Sequence, residues 1–92
     1  MLICKLKSKK AKGWFQVERI VVDIETITYV DGYKKDLKPY AFTTTLIKHI
    51  KKIKLINNEY SFIRKKAKQL EKDRIKREKE LMKLGEKDVK EG

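Results

Sequence analysis

Asp23 and Glu25 are the residues whose types and spacing most directly suggest chemistry in this 92-residue chain. One residue apart in a segment of strand-like composition, they are expected to project from one strand face, about 7 Å apart. Two hard anions so placed can hold Mg²⁺. Two-metal nucleases use such a pair, with at least one further carboxylate, to activate water and stabilise the leaving oxygen. By itself Asp-x-Glu is common, and its ordinary fate is a solvated strand face.

The second source of chemistry is charge. Lys and Arg number 25 against 13 Asp and Glu, a net charge of +12. The excess is local: residues 1–17 carry +5 and residues 46–70 carry +7, whereas 18–45 carry −1 and 71–92 carry +1. Lysine clusters without acidic neighbours attract phosphates, while interleaved Lys and Glu neutralise each other on a solvated helix. The expected nucleic-acid-binding residues are therefore Lys48, Lys51, Lys52, Lys54, Arg64, Lys65, Lys66 and Lys68, opposed within their block only by Glu59. Lys7, Lys9, Lys10 and Lys12 form an expected second contact.

The remaining reactive residue types point to no enzyme. Cys4 is the single cysteine and His49 the single histidine, which excludes an internal disulfide framework and a multi-cysteine zinc site. His49 has no identifiable partner for acid–base work, so no catalytic residue is assigned. Trp14-Phe15, between Lys12 and Arg19, has the composition of a platform for unpaired bases. A domain this small also needs its large side chains inside, where each is worth about 1.5–3 kcal/mol. Trp14, Phe15, Phe42 and Phe62 are accordingly assigned to the core, and Tyr29, Tyr33 and Tyr40 to the surface. No run approaches 18 apolar residues, and Met1–Cys4 is too short for a secretory signal core. The expectation is a soluble intracellular protein with no membrane association, no cofactor and no small-molecule substrate.

The elements that must position these residues read as an α+β fold: short antiparallel strands in the N-terminal half, packed with a helix and followed by a long basic C-terminal helix. Leu2–Leu6 suits an edge strand, and residues 8–13 a flexible basic loop. The β-branched and aromatic content from Trp14 to Val30 suits one or two strands. Asp31-Gly32 is a turn signal, giving a hairpin from Ile24 to Thr45. Leu46, Ile47, Ile50 and Ile53 lie at helical spacing behind Thr43, Thr44 or Thr45 as N-cap, predicting a short amphipathic helix. A hairpin of 53–56 with 60–63 through Asn57-Asn58 is the alternative. The preferred reading makes Asn57 or Asn58 the cap of a long helix with the stripe Tyr60, Ile63, Ala67, Leu70, Arg74, Arg77, Leu81 and Leu84. Its two arginines argue for a helix that projects from the body. Gly85 would end it. The expected organisation is a β-rich body with the short helix over 1–57, a projecting helix over 58–85 and a tail over 86–92.

One stretch also resembles a known family. Val21-Val22-Asp23-Ile24-Glu25-Thr26, followed by a turn and Pro39-Tyr40-Ala41-Phe42, is similar to the first exonuclease motif of family-B DNA polymerases, above all the protein-primed enzymes of phages and linear mitochondrial plasmids. The likeness covers residues 19–42; the family's later exonuclease motifs and its polymerase motifs have no counterpart here. It implies that Asp23 and Glu25 are metal ligands of a 3′–5′ proofreading site using Mg²⁺, or that the chain is a truncated remnant encoded in a mitochondrial genome and retained for charge and shape.

The function expected from size and charge is that of a non-catalytic RNA-binding component of a ribonucleoprotein. A ribosome, and a mitochondrial one in view of the resemblance, is the expected particle, with rRNA and neighbouring proteins as partners. The alternatives are a metal-dependent exonuclease-like fragment using Asp23 and Glu25, and a virus- or plasmid-encoded nucleic-acid-binding regulator with the long helix as dimerisation element.

Overall fold

The computed structural model describes residues 1–91, with side chains through Met82. Five strands precede one helix: β1 (Leu2–Leu6), β2 (Trp14–Val21), β3 (Thr26–Tyr33), β4 (Pro39–Leu46), β5 (Ile50–Leu55) and α1 (Glu59–Glu91). The sheet order is β4-β3-β2-β1-β5, antiparallel throughout. This is the expected α+β class. Strand β2 is shared lengthwise. Its residues Trp14, Phe15 and Gln16 pair with β1, and Val17 to Val21 pair with β3 across a register shift. An irregularity at that point bends a strand, so the sheet folds around one side into a core.

That core is made by alternation. Cys4 and Leu6 of β1, Phe15 of β2 and Ile27 of β3 are buried together, with Val17, Tyr29, Ile47, Ile50 and Leu70 packed against them. Phe15 and Tyr29 pack with ring centroids 4.9 Å apart. Ile63, Ala67 and Leu70 of α1 are half-buried, whereas every residue from Glu71 to Met82 is exposed. The long helix thus docks through its first three turns and then leaves the body.

Five local expectations are corrected. First, β1 is not an edge strand: it lies between β2 and β5 and pairs with both. Second, Asp31-Gly32 is not a turn. The hairpin of β3 and β4 exists, but its turn spans Lys34 to Lys38, where the Lys34 N–H donates to the Lys38 carbonyl at 2.8 Å and Leu37 takes φ +66°. Gly32 instead lies within β3, where the register with β4 shifts, and a Cβ there would stand 2.8 Å from the Ala41 Cβ.

Third, the short helix over 46–56 is replaced. Leu46 completes β4, Ile47–His49 make one 3₁₀ turn, and Ile50–Leu55 form β5 against β1. The helical spacing of four apolar residues is outweighed by long-range pairing. Without β5, the unpaired side of β1 would bury its N–H and C=O groups unsatisfied. The alternative hairpin through Asn57-Asn58 does not form either; Asn58 stands at the start of α1, its carbonyl accepting the Phe62 N–H at 3.1 Å. Fourth, Phe42 is 48% exposed on β4 and is not a core residue. Tyr33 moves the other way: it is half-buried and its hydroxyl donates to Gln16 Oε1 at 2.7 Å. Fifth, the expected helix stop at Gly85 is not seen: α1 continues through Gly85 to Glu91, so the segment expected as a tail is helical as far as Glu91, an isolated glycine costing a helix only about 1 kcal/mol.

Candidate nucleic-acid interface

Antiparallel pairing places directly opposed residues on the same sheet face. Lys5 is opposed by Trp14 on one side and Lys52 on the other, and Ile3 is opposed by Gln16 and Lys54. Two adjacent rows across β5, β1 and β2 therefore place Lys52, Lys5 and Trp14, then Lys54, Ile3 and Gln16, on the face opposite Cys4 and Phe15, with Lys52 and Lys54 exposed, Lys5, Trp14 and Gln16 half-buried and Ile3 buried beneath them. The Lys54 ammonium lies 4.4 Å from the Trp14 ring centroid, a cation–π contact that holds the charge over the aromatic face. Strands β1 and β5, which carry the three lysines, contain no carboxylate, and β2 contains one, the exposed Glu18 at its register shift with β3.

The basic loop extends this surface. Lys7, Lys9, Lys10 and Lys12 are exposed between β1 and β2. The Lys7 N–H donates to the His49 carbonyl at 2.9 Å, which ties the start of the loop to the 3₁₀ turn carrying exposed Lys48. Gly13, with φ +84°, turns the chain from the loop into Trp14.

The other expected contacts separate from this group. Lys51, exposed, is the extra residue at the register shift between β1 and β5 and has no partner opposite it on β1. Arg64, Lys65 and Lys68 are exposed on α1, which packs on the opposite side of the sheet. With Tyr60 and Ser61 they line a shallow depression of about 260 Å³, and the Arg64 guanidinium lies 6.0 Å from the Tyr60 ring centroid. Lys10 and Lys12 face α1 across an open groove of about 1980 Å³, whose walls include Tyr29, Tyr33, Tyr40 and Arg74. Basic side chains around it outnumber acidic ones two to one. Its volume exceeds the roughly 300–1000 Å³ of small-molecule pockets because it is open to solvent along the helix.

Lys66 is a correction. Expected among the phosphate-binding residues, it is only 4% exposed. Its ammonium lies 3.7 Å from the Phe15 ring centroid and donates to the Lys12 carbonyl at 3.5 Å. Burial pushes its pKa down from 10.5 to about 8, with the Asp73 carboxylate and Cys4 acting in the opposite sense. Lys66 thus secures α1 to the sheet and the basic loop and does not meet solvent. Burial also pushes the Cys4 thiol up to about 11, against the Lys66 charge, which leaves the sulfur protonated and unreactive near neutral pH.

Asp23 and Glu25 are not on a strand. They lie in the turn joining β2 to β3, where the Glu25 N–H donates to the Val22 carbonyl at 3.1 Å and Glu25 takes φ +53°. Both are exposed. Among the described residues no cluster of three or more His, Cys, Asp or Glu side chains has the geometry to hold a metal ion.

Sequence reasoning missed Lys5. Its signal was present in the alternation of Ile3-Cys4-Lys5-Leu6, but its neighbours Trp14 and Lys52 depend on strand pairing and cannot be read locally. Among the described residues no helix is long and apolar enough to cross a membrane. No protein-family model, curated protein or solved structure matches the chain.

Proposed function

We propose that this chain is a non-catalytic RNA-binding component of a ribonucleoprotein particle. The observation that carries the reading is the register of Lys5, Lys52 and Lys54 around Trp14, the lysines standing on two strands, β1 and β5, that contain no carboxylate. Three ammonium groups held by a sheet meet phosphates without first having to be ordered, which lowers the entropic cost of binding. The exposed basic loop and the Arg64–Lys68 face of α1 supply further phosphate contacts on the other side. A small body with cationic surfaces on both sides and a projecting helix suits a crevice between RNA helices, where the backbone is contacted and bases are read little. A ribosome is the particle of this kind that we favour, and the motif resemblance over residues 19–42 favours a mitochondrial one.

The test is the salt dependence of RNA binding. Removing one lysine–phosphate pair should reduce the slope of log affinity against log salt by about 0.7–0.9. The variant Lys5→Gln, Lys52→Gln, Lys54→Gln is expected to bind every RNA sequence more weakly and to flatten the slope by about 2–3. Binding by the wild type that is insensitive to salt, or an unchanged slope in the variant, would overturn the assignment of this face. Cosedimentation of the native protein with a ribosomal subunit through a high-salt wash is the expected cellular result. A light fraction free of RNA would count against a particle component.

A further inference from the structure

The two edges of the sheet are unlike. Strand β5 carries Lys51, Lys52 and Lys54 among its six residues, a charge density that discourages pairing with another strand. Strand β4, Pro-Tyr-Ala-Phe-Thr-Thr-Thr-Leu, has no charged residue over eight positions. It pairs with β3 alone, so its outer row of N–H and C=O groups is open. Tyr40, Phe42 and Leu46 are 47%, 48% and 40% exposed along it.

The geometry points to a homodimer in which β4 pairs antiparallel with β4 of a second copy, joining two sheets into one of ten strands. Strand addition of this kind draws its affinity from main-chain hydrogen bonds and its specificity from alternate side chains. A two-fold axis at Thr43 sets Phe42 against Thr44 and Ala41 against Thr45, so the strand is complementary to itself over 41–45, short of the register shift at Tyr40, as an isologous interface requires. Pro39, which has no N–H to donate, falls outside this register.

Charge at the two ends selects a second copy over a foreign strand. The turn before β4 carries Lys34, Lys35, Asp36 and Lys38, a net +2. At the other end the Ile47 N–H donates to the Glu25 carbonyl at 2.8 Å, holding the β2–β3 turn one strand in from the edge. There Asp23 and Glu25, with Lys48, leave a net −1. Antiparallel pairing brings each copy's basic turn beside the other's carboxylates, with Lys38 against Lys48 the one unfavourable pair. Asp23 and Glu25 thereby act as specificity residues for self-association. The lysine face on β5 and β1 lies at the far side of the sheet and stays open in the dimer. The inference goes beyond the RNA reading and does not depend on it.

Sedimentation equilibrium without RNA, at physiological ionic strength, tests it. The wild type is expected to show a mass rising from monomer to dimer with concentration. The variants Asp23→Lys/Glu25→Lys and Lys34→Glu/Lys35→Glu should each dimerise at least tenfold more weakly, and their equimolar mixture should recover dimer through restored opposite charges. Thr44→Lys, at an exposed edge position where the change gives up one exposed hydrogen bond to the Thr28 hydroxyl, should be folded and monomeric. A wild type that stays monomeric, paired-charge variants that dimerise normally, or a mixture that fails to recover would each overturn the proposal. So would a monomer whose β4 amide resonances shift only when an unrelated extended peptide is added.

Discussion

Lys66 shows how one side chain can serve packing at the expense of stability. Its stem and ammonium cover Phe15 and reach the Lys12 carbonyl, but the charge is held almost out of water. With a pKa of about 8 in the fold against 10.5 when free, the folded state loses its proton before the unfolded state does. Between pH 8 and 9 the unfolded chain therefore binds more protons, and stability rises with pH by at most about 1.4 kcal/mol per unit. Above pH 9 the raised Cys4 thiol acts with opposite sign: it keeps its proton in the fold and loses it when unfolded, so the rise levels off. Urea midpoints of the wild type should increase from pH 7 to 9. Lys66→Met, which keeps the packing and removes the charge, should be more stable at pH 7 by roughly 1–3 kcal/mol and flat over that range. A pH-independent wild type would mean that the ammonium is hydrated in solution. Gly32 is a second residue with a definite cost. The 2.8 Å approach to the Ala41 Cβ leaves no room for a methyl group, so Gly32→Ala should destabilise by about 1–3 kcal/mol, read from the same urea midpoints.

Among the elements, α1 is divided by its environment. Residues 59–70 share a half-buried stripe with the sheet, and 71–82 have no buried side chain. The one side-chain hydrogen bond that reaches the body from this outer part runs from Arg74 Nη1 to the Tyr40 hydroxyl at 3.5 Å, exposed at both ends. Contacts of that kind add little to stability. Truncation after Asp73 should therefore leave the unfolding midpoint of the sheet within about 0.5 kcal/mol of the full chain. A larger loss in denaturant titration would show that the outer helix packs on the body in solution. Amide exchange should follow the same division, fast beyond Glu71 and slow at Cys4, Phe15 and Ile27. The element least legible from local pattern was β5. Its isoleucines satisfy helical spacing and β propensity together, and only the presence of β1 decides between them.

At the scale of the whole molecule, ammonium groups distant in the chain become neighbours through pairing. Lys5 and Lys52 stand 47 positions apart in sequence and directly oppose each other in the sheet. The α+β class, the β3–β4 hairpin and the long C-terminal helix were legible in the sequence, because each rests on local composition or periodicity, whereas the docking of that helix as far as Leu70 was not, since its pattern predicts projection over the whole of 58–85. Several features were not legible. The central place of β1, the position of the hairpin turn, the strand character of residues 50–55 and the burial of Lys66 all depend on partners more than a few residues away. Gly32 illustrates the limit: beside Asp31 it has the composition of a turn, and only the close approach of Ala41 shows why glycine is needed inside a strand. The same holds for the candidate interface. Charge composition alone dictates a net positive field, since 25 cations face 13 anions, and the polyanion partner is the proposal built on it. Which lysines stand together is settled by the folded sheet, because strand register is a long-range choice set by burying one of its faces.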